Sequence, residues 1–519
     1  MGLTTALLLA AACASGAGVV TERADRAPAT TTTTTGSAPA DSSTPPVSTS
    51  TSDPTATSEP EPSTQPASEL QWEVFMEGIE FTTLEVPIDY DDPGGAQFEL
   101  FIARRLADDQ QNKIGSLLIN PGGPGVGGAD YAIGADQIFG EELLERFDIV
   151  GWDPRGTGLS QPAIDCIDDY DPYFASSDIT PEDAEERQQI VELAEEFTGE
   201  CVESNGDILQ HVGTNNSARD IDAIRRALGE DEISYFGFSY GSELGATWAT
   251  LFPDTVRAAV LDGASDPNAD AQEHELQQAA GFEAAITTFL AQCSEDTTCT
   301  FHNEGNAEAA FDELMETLDE RPFPSEPDRP DVNLQVARQA VTEAMYRDSL
   351  WPELAAALDA AQSDDGAGLL TLYDRYYRRS VDGTWSNLLE AFRTISCADN
   401  PERPTVTESD AFAAEVHRIA PRHRPETTGD YLCTFFPPSI DPRAHITGTG
   451  AGPIVVIGTT GDSATPLDST RNMDAALEDG RLVVVTANQH TGYDVNDCVK
   501  QVVHRYLVDL EAPADETAC

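Results

Sequence analysis

Runs of apolar residues alternate with amphipathic segments along the chain from Leu70 onward. Eight runs have the length and composition of buried strands: residues 84–90, 98–106, 115–120, 147–153, 233–238, 258–264, 453–458 and 481–486. Helical periodicity dominates residues 181–203, 217–228 and 497–510. Strands that alternate with helices in this way predict an α/β fold with a mostly parallel central sheet and helices on both faces.

A long helical segment interrupts this alternation. Residues 265–449 are rich in Ala, Leu and Glu with helical periodicity, and they separate the strand at 258–264 from the strand at 453–458. We therefore expect a core formed by residues 71–264 and 450–519, with residues 265–449 as a helical lid inserted between its two parts.

The N-terminal part of the sequence has the features of an export signal. Residues 1–13, MGLTTALLLAAAC, contain an apolar run that is too short to span a bilayer as a mature helix. The small residues before Cys13 resemble a bacterial lipoprotein cleavage box, in which the cysteine becomes a membrane lipid anchor. Residues 14–70 are mostly Thr, Ser, Pro and Ala, which predicts a disordered linker. We expect an exported cell-envelope lipoprotein, with plain secretion as the alternative.

Composition excludes some classes of partner and favours an oxidising compartment. The chain has 29 Lys and Arg against 92 Asp and Glu, a formal charge of −63, which would repel nucleic acid. Besides Cys13 there are eight cysteines without a C-x-x-C pair, which favours disulfides over metal ligation. We expect no metal and no cofactor.

The clearest chemical motif is G-x-S-x-G at residues 237–241, between a predicted strand and a predicted helix. In this motif the serine occupies a strained turn, and a side chain on either glycine would collide with neighbouring backbone. The turn lifts the hydroxyl clear of the sheet. The pattern predicts Ser239 as a catalytic nucleophile.

A nucleophilic serine requires a histidine base and a carboxylate that orients the histidine. With this motif the chain order is Ser, then Asp or Glu, then His, each after a strand. Asp462 follows the strand at 453–458, and His490 follows the strand at 481–486. The backbone N–H groups of Tyr240 and of Gly123, in the PGGPG loop, are the expected donors to the oxyanion.

Six motifs together resemble a known enzyme family, over residues 72–519. They are NPGGPG (Asn120–Gly125), GWDPRGTGLS (Gly151–Ser160), GFSYGS (Gly237–Ser242), VLDGASDP (Val260–Pro267), GDSATP (Gly461–Pro466) and His490. This set is similar to the tripeptidyl-aminopeptidase-like branch of the prolyl iminopeptidase-type α/β-hydrolases. The resemblance implies an exported actinobacterial type of enzyme with Ser239 as nucleophile, Asp462 as orienting acid and His490 as base. It also implies that Arg155 braces the active-site loops and that Thr465 lies close to the acid.

The resemblance and the short separations along the chain also imply a disulfide pattern. Four local pairs are expected: Cys166–Cys201, Cys293–Cys299, Cys397–Cys433 and Cys498–Cys519. Cysteines that are close in sequence can close loops within one exported domain without a disulfide that crosses the sheet.

The resemblance implies an exported serine peptidase that releases short, tripeptide-type peptides from free N-termini. A free α-ammonium needs a carboxylate partner, and Glu273 and Asp399 in the lid are candidates for substrate binding. Peptides or esters are the expected substrates. A carboxylesterase or lipase-like hydrolase with the same triad is the alternative, and a non-catalytic binding protein is a third reading that the intact triad disfavours.

Overall fold

A computed structural model of the protein describes residues 70–519. The predicted signal peptide, its Cys13 and residues 14–69 of the predicted linker lie outside the described residues. Within residues 70–519, none of the helices combines the length and the apolar character needed to cross a bilayer.

Ten strands form one sheet in the described part of the chain. They are β1 (Glu73–Met76), β2 (Ile79–Pro87), β3 (Gln97–Arg105), β4 (Gly115–Asn120), β5 (Phe147–Trp152), β6 (Ile233–Phe238), β7 (Val256–Asp262), β8 (Ile454–Thr459), β9 (Gly480–Val485) and β10 (Thr517–Ala518). Their order across the sheet is β1-β2-β3-β5-β4-β6-β7-β8-β9-β10. The pairs from β1 to β5 along this order are antiparallel, and all pairs from β5 to β10 are parallel.

Helices cover the sheet. They are α1 (Ala129–Ile133), α2 (Ala135–Ile138), α3 (Glu141–Arg146), α4 (Asp171–Phe174), α5 (Ala184–Asn205), α6 (Thr214–Leu228), α7 (Tyr240–Leu251), α8 (Ala271–Glu295), α9 (Ala307–Glu320), α10 (Leu334–Met345), α11 (Trp351–Ala361), α12 (Ala367–Tyr376), α13 (Leu388–Asp399), α14 (Val406–Ile419), α15 (Leu467–Ala476) and α16 (Asp497–Asp509). Helices α8 to α14 all lie between β7 and β8, where the sequence predicts the lid.

Side chains alternate between the two faces of the sheet, as the pleat of a strand requires. On β4, Leu117 and Ile119 join a buried cluster that includes Val503 of α16. Leu118 points the other way, into a cluster shared with Leu244 of α7. Because both faces of the central strands are buried, these strands are apolar at most of their positions. The predicted α/β architecture is confirmed.

Helix α5 belongs to the predicted core segment, residues 71–264, and also contacts the inserted helices. The guanidinium of Arg393 on α13 lies 5.6 Å from the ring centroid of Phe197 on α5. Arg187, also on α5, forms an ion pair with Asp410 on α14. The inserted helices are therefore held in part by a segment that precedes the nucleophile in the sequence.

All eight cysteines in the described part of the chain are paired. The disulfides are Cys166–Cys201, Cys293–Cys299, Cys397–Cys433 and Cys498–Cys519. These are the four pairs expected from the sequence. Two of them lie within the inserted segment, one ties α5 to the loop after β5, and one ties α16 to Cys519, directly after β10.

Arg155, in the loop after β5, is fully buried and forms a two-pronged ion pair with Asp220 of α6. Its Nε and Nη2 atoms lie 2.7 and 2.6 Å from the two carboxylate oxygens. Its Nη1 donates to the carbonyl oxygens of Ile88 and His211, at 3.0 and 2.9 Å. The hydroxyl of Tyr90 donates to Asp220 at 2.7 Å. Arg155 thus joins the segment after β2, the loop after β5 and helix α6.

Candidate active site

Ser239 lies at the sharp turn between β6 and α7, with a φ of +56°. Its backbone N–H donates to the carbonyl oxygen of Asp262 at the end of β7, at 2.8 Å. A Cβ on Gly237 would lie 2.1 Å from the Gly241 carbonyl oxygen, and one on Gly241 would lie 2.5 Å from the Asn120 carbonyl oxygen. Any side chain at either glycine would therefore force the turn apart, as the motif predicts.

His490 and Asp462 meet at the ends of β9 and β8. The Nδ1 atom of His490 lies 2.9 and 3.0 Å from the two carboxylate oxygens of Asp462. Asp462 is buried, and its Oδ1 also accepts the N–H groups of Ala464 and Thr465 at 3.0 and 2.8 Å. A carboxylate at Nδ1 assigns the proton to that nitrogen and leaves the lone pair on Nε2. Nε2 has no hydrogen-bond partner among the described residues.

The charge of Asp462 makes this histidine a stronger base. Burial alone lowers the pKa of His490, but the Asp462 carboxylate beside it outweighs burial, so its pKa is raised above the ordinary value. A buried imidazole with a free Nε2 and an oriented, basic ring has the properties that a general base requires.

The inserted helices contact the histidine loop directly. The N–H of His490 donates to the carbonyl oxygen of Tyr346, just after α10, at 2.7 Å. The rings of Tyr346 and His490 lie 5.6 Å apart at 70°. Met345 accepts a hydrogen bond at 2.9 Å from Ser463, which follows the acid. No sequence motif pointed to residues 345 and 346, because their contacts join segments that are far apart in the chain.

The glycine loop after β4 lies against the nucleophile turn. A Cβ on Gly122 would lie 2.9 Å from the Cβ of Ser239 and 3.0 Å from the backbone nitrogen of Tyr240. The N–H of Gly122 itself donates to the Asn120 side chain at 2.9 Å. Tyr240 is the first residue of α7, where N–H groups have no acceptor within the helix. The two predicted oxyanion donors, Tyr240 and Gly123, thus belong to segments that touch.

This geometry agrees with comparisons to known proteins. The family model described as alpha/beta hydrolase fold matches residues 115–497. The chain belongs to the α/β-hydrolase fold family. It is 37% identical to the serine protease Hip1 of Mycobacterium tuberculosis over 84% of this chain and 86% of that protein. It is 34% identical to carboxylesterase B of the same organism, over 84% and 85% of the two chains. It is 28% identical to a tripeptidyl aminopeptidase of Streptomyces coelicolor, over 84% and 82%.

These relatives confirm the branch that the sequence motifs suggested. The protein is a serine hydrolase of the α/β-hydrolase fold. By name, the relatives include both peptidases and an esterase. They therefore identify the class of enzyme but not its substrate.

Asp399, the last residue of α13, is linked to the nucleophile turn of this α/β-hydrolase through Thr214. It accepts the N–H and the hydroxyl of Thr214, both at 2.6 Å. The Thr214 oxygen in turn lies 2.5 Å from the hydroxyl of Tyr240, the residue after the nucleophile. Burial, together with the charge of Glu243, raises the pKa of Asp399 to about 7.

The first turn of α13 fixes this helix against the glycine loop. A Cβ on Gly125 would lie 2.7 Å from the carbonyl oxygen of Leu388 and 2.9 Å from the nitrogen of Phe392. Only a glycine allows this approach. Helix α13 therefore begins against the glycine loop and ends at Asp399.

The two other predicted binding residues have different surroundings. Glu273 is exposed at the start of α8, where its backbone N–H donates to Asp270 at 2.8 Å and its carboxylate accepts from the Asp270 N–H at 3.4 Å. This reciprocal pair is a capping box, which gives Glu273 a structural role. Thr465 is buried, and its hydroxyl lies 3.2 Å from His490 Nδ1, so it belongs to the acid turn.

Proposed function

We propose that the protein is an exported aminopeptidase that releases short, tripeptide-type peptides from free N-termini through a Ser239, His490 and Asp462 mechanism. The observation that carries the proposal is Asp399, a carboxylate that forms no ion pair in the described residues and lies two hydrogen bonds from the neighbour of the nucleophile. The names of the Hip1 and tripeptidyl aminopeptidase relatives support it.

In the proposed reaction, the Ser239 hydroxyl attacks the scissile carbonyl carbon while His490 Nε2 takes its proton. Asp462 keeps the proton on Nδ1 and stabilises the imidazolium. The N–H groups of Tyr240 and Gly123 donate to the oxyanion. The imidazolium then protonates the departing amine, which leaves an acyl-enzyme on Ser239. Water, deprotonated by His490, releases the short peptide and restores the serine.

The charges around Asp399 suit an α-ammonium group. Two carboxylates, Asp399 and Glu243, lie close together, and the guanidinium of Arg443, which acts on both, forms its ion pair with Glu243 at 2.5 Å. One negative charge is therefore unbalanced, and an N-terminal ammonium would neutralise it. Three extended residues span about 10 Å at most, so a carboxylate near the nucleophile can limit how many residues lie between the N-terminus and the cleaved bond.

Blocking the N-terminus of a substrate is expected to lower kcat/KM by at least about tenfold, the effect of losing one charge-assisted contact. Asp399 is ionised above pH 7, and a peptide α-amine is charged below about 7.7–8.0. We therefore expect the ratio of kcat/KM for free over acetylated peptides to peak between these values and to fall on either side. Taking the ratio cancels the titration of His490, which both substrates share.

Asp399→Asn should reduce this ratio towards one while cleavage of the acetylated peptide persists. Glu390→Gln is a matched control, because Glu390 lies on the same helix and burial also raises its pKa to about 7. Its carboxylate instead accepts the N–H groups of Cys166 and Ile167, both at 3.1 Å. Equal cleavage of free and blocked peptides by the unmodified protein would reject the aminopeptidase proposal.

A carboxylesterase is the second candidate, and an aromatic wall next to the base favours it. The ring of Tyr346, which contacts His490, lies 5.6 Å from that of Phe282, and Phe282 stacks on His423 at 4.5 Å. Such a wall could hold an apolar alcohol group. Short-chain esters tested beside the peptides separate the two candidates, since an esterase would prefer the esters and ignore the state of the N-terminus.

We also propose that the protein is exported and anchored through a lipid on Cys13. The cleavage-box sequence before Cys13 supports this, and the four disulfides fit an oxidising compartment. Palmitate labelling in an actinobacterial host should mark the unmodified protein, while Cys13→Ser should be unlabelled and found in the medium. Equal labelling of both forms would contradict anchoring at this residue.

A further inference from the structure

Asp262, the last residue of β7, is a fully buried carboxylate between the nucleophile turn and the histidine loop. Its carbonyl oxygen accepts the N–H of Ser239 at 2.8 Å. Its two carboxylate oxygens accept the N–H groups of Gly492 and Tyr493 at 2.7 and 2.8 Å. Asp262 is therefore hydrogen-bonded both to the backbone of the nucleophile and to the loop that carries the base.

The next residue also fits closely against the base. Gly263 has a φ of +68°, and a Cβ there would lie 2.9 Å from Cε1 and 3.2 Å from Nδ1 of His490. The imidazole thus rests on the backbone directly after Asp262, which brings the Asp262 carboxylate close enough to act on the ring's charge.

The two bonds from the histidine loop suit a carboxylate in particular. Consecutive N–H groups donate to separate oxygens, and an ionised carboxyl group offers two acceptors without a donor. An asparagine would offer one oxygen and turn an NH₂ group towards the other N–H. Burial raises the pKa of Asp262 to about 7, and no cationic side chain forms an ion pair with it in the described residues. Burying an ionised carboxylate without an ion pair costs free energy of folding, and carboxylates of this kind are found most often at functional sites.

We propose that Asp262 is a positioning residue for catalysis, whose main chain fixes Ser239, whose side chain fixes the His490 loop, and whose charge supports the imidazolium beside that of Asp462. The inference rests on the proposed roles of Ser239 and His490 and does not depend on which substrate is cleaved.

The charged groups around the two residues set the expected pH dependence. His490 is faced by Asp462, Asp262 and Arg347; the two carboxylates raise its pKa and Arg347 lowers it. Asp262 is faced by His490 and Asp462, and its charge is present above about pH 7 and lost below. Removing that charge therefore lowers the pKa of His490, and the acid limb of the kcat/KM profile should move to lower pH.

The test compares Asp262→Asn with the unmodified protein on one ester substrate over pH 5–9. We expect kcat to fall by about 10- to 100-fold because the base is misplaced, with a much smaller change in KM. The acid limb should shift downwards by about half a pH unit.

Asp153→Asn is the matched control, because Asp153 is also a buried carboxylate after a strand. It accepts two backbone N–H groups, from Ala129 at 3.1 Å and from Leu159 at 2.8 Å, and burial raises its pKa. It should leave the acid limb in place. Asp262→Ser, which keeps a small acceptor, is a second variant in case Asp262→Asn does not fold.

Unchanged kcat and an unchanged acid limb in a folded Asp262→Asn protein would overturn the proposal, as would an equal shift in Asp153→Asn. If neither Asp262 variant folds, Asp262 serves the stability of the fold and the proposal is also overturned. Activity in Ser239→Ala would instead reject the proposed nucleophile, so the two failures are distinguishable.

Discussion

Ser239→Ala is expected to abolish hydrolysis, lowering kcat by about 10⁴-fold or more, because the acyl-enzyme cannot form without the hydroxyl. The fold should be unaffected. The hydroxyl makes no hydrogen bond within the described residues, and the backbone bond from Ser239 to Asp262 does not involve the side chain. Turnover of an ester and a free peptide, together with labelling by a fluorophosphonate probe, measures the loss.

Ser242→Ala is the matched control for this prediction. Ser242 is the second serine of the GFSYGS segment, it is fully buried on α7, and its hydroxyl also lacks a hydrogen-bond partner in the described residues. It should keep both turnover and labelling. Near-normal turnover in a pure Ser239→Ala sample would remove the basis for the whole triad.

Arg155→Ala is expected to destabilise the protein by about 3–5 kcal/mol, since it leaves the Asp220 carboxylate buried and unpaired. The same change frees the carbonyl oxygens of Ile88 and His211 from their buried donor. Urea unfolding with the disulfides intact, followed by tryptophan fluorescence, measures the difference in the free energy of unfolding.

Arg321→Ala removes an arginine from an exposed ion pair and serves as the comparison. The side chains of Arg321 and Asp364 are 55% and 57% exposed, so this pair should contribute less than about 1 kcal/mol. A similar small loss in Arg155→Ala would show that the buried pair does not hold the loop after β5 to α6.

The sheet could be predicted because its central strands are buried on both faces. That burial makes the middles of β4 to β8 mostly apolar, and these short apolar runs are visible in the sequence. The two end strands, β1 and β10, could not be predicted because they are not buried on both faces. All four residues of β1 are exposed, and β10 has only two residues, so neither carries a pattern of burial.

The positions of Ser239, Asp462 and His490 could be predicted because a parallel sheet brings the carboxyl ends of its strands to one edge. No comparable rule predicts where side chains of the inserted helices lie relative to the site. Glu273 and Asp399 were equally acidic lid residues in the sequence, and only the structure separates them: one caps a helix and the other reaches Thr214. The contact of Tyr346 with His490 depends on how the inserted helices fold back, which helical periodicity does not encode.

The hydrogen bond from the His490 N–H to the Tyr346 carbonyl links the inserted helices to the loop that carries the proposed base. Swinging the inserted helices away from the sheet would break this bond and the bond from Ser463 to Met345. Asp462 and Asp262 would still hold the imidazole and its loop, but each loop would lose one of its hydrogen bonds. The position of the inserted helices and the rigidity of the acid and base loops are therefore coupled through these two contacts.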